Sequence, residues 1–240
     1  MTLLACVEVG GSGCQTVVFE GSSWEVVDGV RRPLDADLAI AAPGFINQGR
    51  VVLASNLGWH DVDPAEQLGL VGPAVAVLND AEAAALGEVA LRRTTGAELD
   101  LTFVGVGTGI GGAVVVGGRV TRANLFGHLP GFSTAVCRCG RVGCLETIAA
   151  GWALPAELDR AAQRAVAVAV AAGIEAEPLS IQPLVVIGGG LARAYPYVVE
   201  VLSQLLPARR IESSLAPVGA KSASAWGLRH VVDGLTAPGV

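Results

Sequence analysis

Three glycine clusters, each placed directly after a short apolar run, constrain the fold of this chain more than any other feature. They occupy residues 10–13, 107–112 and 188–190. An apolar run of this length predicts a buried strand, and glycine lets the backbone turn sharply where the strand ends. A second apolar run follows each of the first two clusters, which predicts two β-hairpins.

Helical patterns alternate with the remaining predicted strands, which places the chain in the α/β class. Beyond the hairpins at residues 3–20 and 101–116, strands are predicted at residues 24–30, 37–42, 74–78 and 184–187. Helices are predicted at residues 80–93, 155–172, 195–206 and 222–232. The second of these helices repeats apolar residues at i, i+3, i+4 and i+7, and Gly173 is predicted to end it.

Composition excludes several classes of protein. An apolar fraction of 52% and a charged fraction of 16% in 240 residues predict a large buried core and exclude disorder. The net charge is −6 and no basic stripe is present, so a nucleic-acid partner is not expected. The uncharged run at residues 101–118 is glycine-rich and predicts strand, turn and strand, not a membrane span. No basic residue precedes Arg31, so a signal peptide is not expected either, and we predict a cytoplasmic protein.

A histidine and three cysteines fall in the pattern H-x8-C-x-C-x4-C. They are His128, Cys137, Cys139 and Cys144. One imidazole and three thiolates form a closed tetrahedral set that is typical of structural zinc, although a single loop histidine often has no ligand role. Gly140 and Gly143 supply the sharp turns that such closely spaced ligands require. A complete set leaves no position for an activated water, so a hydrolytic metal centre is not expected.

The glycine clusters are also candidate phosphate sites, because glycine lets backbone N–H groups converge on an anion. Plain hairpin turns are the alternative. Residues 107–112 match the dinucleotide-binding glycine pattern by letter, but a predicted strand follows where that motif requires a helix. The chain has no P-loop, so backbone amides, a hydroxyl such as Ser12 or Thr108, and Mg²⁺ would have to hold the phosphates.

Asp80 lies where a buried strand meets a helix. Helix capping is one interpretation, since aspartate and asparagine are favoured at the N-cap. The other is a general base that accepts a hydroxyl proton during in-line phosphoryl transfer, with Asn79 beside it. Glu146 is placed two residues after Cys144, where it is either a solvated carboxylate or a functional one.

Taken in order, these motifs resemble the ROK family of glucokinase-like bacterial sugar kinases and sugar-responsive repressors, within the actin-like ATPase superfamily. The matching segments cover most of the chain. They are residues 8–12, 43–44, 56–59, 79–80, 107–111, 127–128, 137–146 and 187–190. The resemblance implies a two-lobed actin-like ATPase (ribonuclease-H-like) fold with a zinc-binding loop, shortened in both lobes. Residues 1–100 would form a small α/β lobe on which a C-terminal helix (222–240) packs, and residues 101–221 a larger lobe with the zinc site.

The resemblance also implies an activity and the residues that carry it. The activity is ATP- and Mg²⁺-dependent phosphorylation of a hexose or amino-sugar hydroxyl, usually the 6-OH, with Asp80 as the base. The implied sugar ligands are Gly44, Asn56, Asn79, His128 and Glu146. The implied nucleotide ligands are Glu8, Gly10, Gly11, Ser12, Gly107, Thr108, Gly109, Gly188 and Gly189. His128 would use one ring nitrogen for zinc and the other for the sugar. A homodimer is expected, with no nucleic acid and no membrane among its partners.

The chain departs from the family pattern at three residues and two gaps. Glu8 replaces an aspartate, Ser12 replaces a threonine, and Leu125 replaces a glutamate that contacts the sugar in the family. Residues 13–43 and 146–184 are short for the family. Ser12 keeps the hydroxyl, whereas Glu8, Leu125 and the two gaps favour an alternative, a catalytically weak or inactive sugar-binding or sensor protein. A zinc-stabilised partner-binding module is a third possibility. A DNA-binding repressor is not expected, because the first core strand begins at about Leu3.

Overall fold

The computed structural model describes residues 3–93, 100–124, 126–176 and 182–236. The chain forms two compact units. Unit 1 comprises Met1–Thr95 and Ala216–Val240, and unit 2 comprises Gly96–Leu215.

The described elements are thirteen strands, seven α-helices and two short 3₁₀ turns. The strands are β1 (Leu3–Gly10), β2 (Gly13–Glu20), β3 (Ser23–Asp28), β4 (Ala36–Ala42), β5 (Phe45–Asn47), β6 (Arg50–Ala54), β7 (Trp59–Val62), β8 (Ala76–Asn79), β9 (Leu101–Val106), β10 (Ile110–Val116), β11 (Arg119–Asn124), β12 (Leu184–Gly188) and β13 (Arg210–Ser213). The α-helices are α1 (Pro64–Gln67), α2 (Asp80–Arg93), α3 (Glu146–Ala149), α4 (Arg160–Ala176), α5 (Gly190–Ala194), α6 (Tyr197–Leu205) and α7 (Ser224–Thr236). The 3₁₀ turns are Phe126–His128 and Gly151–Ala153.

Unit 1 is built on a five-stranded sheet with the order β3-β2-β1-β4-β8. The first three strands form an antiparallel meander, while β4 runs parallel to β1 and β8 parallel to β4. Side chains alternate between the faces of β1. Leu4 and Cys6 pack with Leu228 of α7, whereas Val7 and Val9 belong to a cluster that reaches the small sheet β5-β6-β7. The sheet is therefore apolar on both faces, as a buried parallel core requires.

Unit 2 repeats this arrangement with the order β11-β10-β9-β12-β13. Strands β9 to β11 are antiparallel, and β12 and β13 continue in parallel from β9. One core cluster joins this sheet to α4 and α6, with Val104 and Val185 among its strand residues. The two units thus share one sheet topology, although the sequence shows no residue-level repeat.

Both predicted hairpins are confirmed, as β1–β2 and β9–β10. The second glycine cluster is shorter than predicted, since β10 already begins at Ile110. A strand therefore follows it where a dinucleotide-binding motif needs a helix, as predicted. In the described part of the chain, no helix is both long enough and apolar enough to cross a membrane.

The helix predicted at residues 155–172 is wrong at both ends, because α4 spans Arg160–Ala176. It begins after Asp159, whose carboxylate accepts a hydrogen bond from the backbone N–H of Ala162 at 2.8 Å. Gly173 does not end the helix. It is a packing position, since a Cβ there would lie 2.8 Å from Leu145 Cδ2.

The three-stranded sheet β5-β6-β7, the edge strand β11 and strand β13 were not predicted from the sequence. The small sheet is made of runs of three to five residues, and Phe45 and Leu53 on it are exposed. Such runs lack the long apolar pattern from which a strand is predicted.

Helices α2 and α7 cross at a contact that depends on two glycines. A Cβ on Gly87 would lie 1.8 Å from the carbonyl oxygen of Ala223, and a Cβ on Gly227 would lie 1.9 Å from that of Ala83. Backbone atoms cannot move aside as a flexible side chain can. The close approach of these helices therefore requires glycine at both positions.

Replacing Gly87 with alanine should destabilise unit 1 by about 3 kcal/mol, because the added methyl group forces the two helices apart. Chemical unfolding of the purified protein would measure this loss. Gly234, which is exposed on α7 with no atom within 4 Å of its Cβ position, is the matched control. Gly234→Ala should gain up to about 1 kcal/mol from helix propensity. Equal stability of the two variants would contradict the proposed contact.

Candidate active site and metal centre

The predicted catalytic residue, Asp80, and several predicted ligands of unit 1 lie at the carboxyl edge of its sheet. Strands β1, β4 and β8 are parallel, with Glu8 paired to Ala41 and Ala42 paired to Asn79. The first glycine turn, Gly44 and the Asn79–Asp80 pair therefore follow strands that end at the same edge. This is the edge at which ligands bind in open α/β sheets.

Asn79 is the residue that caps helix α2. Its Oδ1 accepts hydrogen bonds from the backbone N–H groups of Ala81 at 2.9 Å and Glu82 at 3.3 Å. Its Nδ2 donates to the carbonyl of Gly44 at 2.9 Å. Asp80 Oδ1 also accepts from the N–H of Ala81 at 2.9 Å. Because Asn79 fulfils the N-cap role, capping does not by itself explain the carboxylate at residue 80.

A chain of hydrogen bonds joins Asp80 to Glu8. Ser222 Oγ donates to Glu8 Oε2 at 2.9 Å and accepts from the backbone N–H of Ser224 at 3.0 Å, while Ser224 Oγ donates to the backbone carbonyl of Asp80 at 3.2 Å. Ser222 precedes α7, and Ser224 is the first residue of that helix. They position the end of β1 relative to the start of α2.

Burial and the negative charge of Asp80 raise the pKa of Glu82, which is placed two residues further along α2. Two carboxylates therefore interact at this edge. A cation that binds here would relieve their repulsion.

The other predicted ligands of unit 1 lie in turns or at the end of a strand. Gly11 and Ser12 are exposed in the turn after β1, and Gly10 is half-buried. Gly44 has φ +98°, and a Cβ there would lie 2.1 Å from the carbonyl oxygen of Leu53, so only glycine fits. Asn56 is exposed in the turn between β6 and β7.

In unit 2, the second and third glycine clusters are neighbours. Parallel pairing of β9 with β12 sets Gly188 opposite Gly105, and a Cβ on Gly107 would lie 3.5 Å from the backbone nitrogen of Gly190. Gly189 has φ +90°, and a Cβ there would lie 2.4 Å from the carbonyl oxygen of Val106. The predicted nucleotide ligands of this unit therefore lie together at its carboxyl edge, with Thr108 between Gly107 and Gly109.

The four predicted metal ligands converge on one point. Their ligand atoms all lie within 4.8 Å of one another. Nδ1 of His128 is 3.7 Å from Cys137 Sγ, and Cys139 Sγ is 3.7 Å from Cys144 Sγ. Gly140 and Gly143 both have positive φ, as the predicted tight turns require.

These distances fit zinc. With a Zn–S bond of about 2.3 Å, two thiolates of a tetrahedral site stand about 3.8 Å apart. Burial raises the pKa of the Cys144 thiol to about 12, and the hydrogen bonds from Cys139 and Cys137 act in the same direction. Thiols in such a site give up their protons to a divalent cation. The donor set therefore matches a structural zinc centre.

Glu146 connects the metal loop to the second glycine turn. The residue is 2% exposed, Oε1 accepts from the backbone N–H of Ile110 at 2.6 Å, and Oε2 accepts from Trp152 Nε1 at 3.2 Å. The backbone N–H of Trp152 donates to the carbonyl of Thr108 at 3.2 Å. Arg138 of the metal loop stacks on the Trp152 ring, with its guanidinium carbon 4.8 Å from the ring centroid. These contacts give Glu146 a structural role that the sequence did not indicate.

Glu146→Gln should destabilise unit 2 by about 1–3 kcal/mol, because an amide offers one acceptor oxygen where the carboxylate offers two. One of the two N–H donors would then face an NH₂ group. Thermal unfolding would measure the loss, with Glu157→Gln at an exposed position of the same unit as the control. If the two variants had the same melting temperature, Glu146 would not stabilise the second glycine turn.

One predicted departure, Leu125, lies outside the described residues. The residues that sequence reasoning missed are Ser222, Ser224 and Lys221. Lys221 and Ser222 contact the first glycine hairpin across more than 200 residues of chain, and Ser224 donates to the backbone carbonyl of Asp80. The only available signal was that Lys221 is the single lysine of the chain.

The fold and the site define a two-unit α/β protein with a candidate structural metal centre. The ROK family model matches residues 24–177, more than half of the chain. The chain therefore belongs to the ROK family.

Among its relatives, an N-acetylmannosamine kinase of Shigella boydii serotype 18 is 39% identical over an alignment of 135 residues, and the match covers 50% of this chain and 45% of the relative. The chain spans less than half the length of the first curated relatives that it matches. This sequence likeness therefore concerns a part of each relative.

Solved structures extend the likeness to most of the chain. A ROK family glucokinase from Streptomyces griseus, in complex with glucose and AMPPNP, has a TM-score of 0.75 at 21% identity and covers 95% of this chain and 98% of its own. A ROK family transcriptional regulator, a homologue of the E. coli MLC protein, has a TM-score of 0.68 at 19% identity, and the match covers 97% of this chain and 79% of the regulator. Both likenesses support the predicted mixed α/β fold of the actin-like ROK type. The shortening of the lobes stays a prediction.

Proposed function

We propose that this protein is an ATP-dependent sugar kinase that transfers the γ-phosphoryl group to a hydroxyl of a hexose or amino sugar, the 6-OH in the simplest case. One observation carries the proposal. Asp80 stands at the carboxyl edge of the unit 1 sheet, and two serines join its backbone carbonyl to Glu8, two residues before the first glycine turn. A candidate base and a candidate phosphate turn therefore share one rigid edge.

In the proposed reaction, Asp80 accepts the proton of the sugar hydroxyl. The hydroxyl oxygen forms a bond to the γ-phosphorus, the bond to the bridging oxygen breaks, and ADP leaves. Mg²⁺, when bound, would neutralise phosphate charge, and Glu8 is a carboxylate suited to its coordination shell. Asn79 and Gly44 are proposed to contact the sugar in unit 1.

In unit 2, the glycine turns at residues 107–109 and 188–189 are proposed nucleotide ligands, with backbone amides as donors. His128 and Glu146 are proposed sugar ligands. His128 would bind zinc through Nδ1, the atom that faces Cys137, which leaves Nε2 for the sugar. Glu146 would have to combine a sugar contact with its hydrogen bonds to Ile110 and Trp152.

A panel of hexoses and amino sugars, supplied with ATP and Mg²⁺ and coupled to ADP detection, tests this function on zinc-loaded protein. We expect ADP release that depends on at least one sugar. A protein that binds a sugar by calorimetry but releases no ADP with any member would support the second candidate.

That second candidate is a sugar-binding or sensor protein without turnover. Two observations favour it, namely Glu8 in place of the family aspartate and the structural likeness to a ROK transcriptional regulator. The extra methylene of Glu8 shifts its carboxylate by about a bond length, and errors of that size slow catalysis. A carboxylate base at residue 80, in contrast, has little use in a pure sensor.

A further inference from the structure

Lys221 is the single lysine of the chain, and its ammonium group lies at the end of the first glycine turn. Its Nζ donates a hydrogen bond to the carbonyl oxygen of Cys14 at 3.3 Å. A Cβ on Gly13 would lie 3.7 Å from the same Nζ. The side chain thus extends from the segment before α7 to the start of β2, where the turn at residues 10–13 ends.

The backbone that carries Lys221 is fixed on both sides. Gln15 is 5% exposed, and its Nε2 donates to the carbonyl of Gly219 at 3.0 Å while its Oε1 accepts the N–H of Lys221 at 2.6 Å. The next residue, Ser222, donates to Glu8 at 2.9 Å. An anchored backbone reduces the conformational entropy that a lysine loses when it binds a ligand.

The carboxylates at this edge make it negatively charged, which favours a positively charged group beside any bound phosphate. Glu8 lies on β1 two residues before its last residue, Gly10, and Asp80 and Glu82 lie in the first turn of α2 at the same edge of the sheet. A polyphosphate bound at the turn would meet this negative charge and would be repelled. A positively charged group held at the turn offsets part of that repulsion, and an ammonium can present several N–H donors to phosphate oxygens.

We propose that Lys221 is a phosphate-binding residue of the nucleotide site, where its ammonium donates to a phosphate oxygen of a nucleoside triphosphate held at residues 10–13. The inference rests on the proposed kinase function and deepens it, since it names the side chain that supplies positive charge in a chain without a P-loop. Lys221 binds phosphate through charge and hydrogen bonding, and it takes no part in sugar binding or proton transfer.

The test is calorimetric binding of Mg²⁺ with AMPPNP, a non-transferable ATP analogue, to wild-type protein, Lys221→Met and Lys221→Arg. Lys221→Met should weaken AMPPNP binding about ten- to a hundredfold, which is the range for a lost hydrogen bond to a charged group. Lys221→Arg should restore part of that loss, because it keeps the charge. Sugar affinity should stay within about twofold in all three proteins.

Arg31→Gln is the matched control, since it also removes one positive charge from unit 1 but at an exposed pair with Glu25. It should bind AMPPNP as the wild type does. If the wild type binds AMPPNP and Lys221→Met binds it with the same affinity, the Lys221 proposal is overturned and the kinase proposal stands. Failure of the wild type to bind AMPPNP or ATP would overturn both.

Discussion

The Asp80→Asn protein should bind its sugar with nearly wild-type affinity and transfer phosphate about 10²–10⁴-fold more slowly, which is the range that a positioned general base contributes. Asparagine keeps the size of the side chain and can accept the hydrogen bond that Ala81 donates to Asp80 Oδ1. It cannot take up the hydroxyl proton. The helix also keeps its cap, because Asn79 supplies it. The defect should therefore fall on kcat, measured by coupled ADP release, with sugar affinity measured by calorimetry.

Glu82→Gln provides the control for this experiment. It removes the neighbouring carboxylate of the same helix turn, whose pKa is raised by burial and by Asp80. This variant should keep most of its activity, because Glu82 has no assigned part in the reaction. If Asp80→Asn retained full turnover, or if Glu82→Gln lost as much, a base at residue 80 would be ruled out.

Removing the metal should destabilise unit 2 more than any single substitution proposed for it. Four ligands from residues 128 to 144 hold a loop whose flanking residues, Gly127 and Glu146, both lie against Ile110 at the start of β10. Metal binding in such a site is folding free energy, since the ligands do not converge in the unfolded chain. Chelation should cost at least about 4 kcal/mol and lower the Tm by roughly 10 °C or more.

Thermal unfolding with and without chelator measures the effect on stability, and elemental analysis measures metal content. Cys144→Ser should lose the metal. Cys14→Ser, outside the cluster, should keep one zinc ion per chain and serves as the control. Full zinc content and an unchanged Tm in Cys144→Ser would refute the metal centre.

Local patterns carried most of the fold prediction. The glycine clusters after residues 9 and 106 predicted the hairpins because a sharp turn between two apolar runs has few other solutions. The metal ligands were predicted for a similar reason, since their spacing is short and the chemistry admits few alternatives. Asp80 was placed correctly at a strand–helix junction, but only the structure shows that Asn79 provides the cap.

Long-range contacts explain what the sequence could not predict. Glu8 and Ser222 are 214 residues apart, and Lys221 and Cys14 are 207 apart, so no window along the chain joins them. Gly173 misled the prediction of α4 because glycine ends many helices, whereas here it makes room for Leu145. Helix packing, not local propensity, decided that position.

Phosphoryl transfer to a sugar is the proposed reaction, and identifying its product is the strongest test of it. Zinc-loaded protein, ATP, Mg²⁺ and the sugar that binds best should be incubated together, with sugar phosphate and ADP then quantified by mass spectrometry. We expect the two products in equal amounts from the wild type and neither above background from Asp80→Asn. A wild-type protein that binds the sugar and ATP but forms no sugar phosphate would overturn the proposed kinase function.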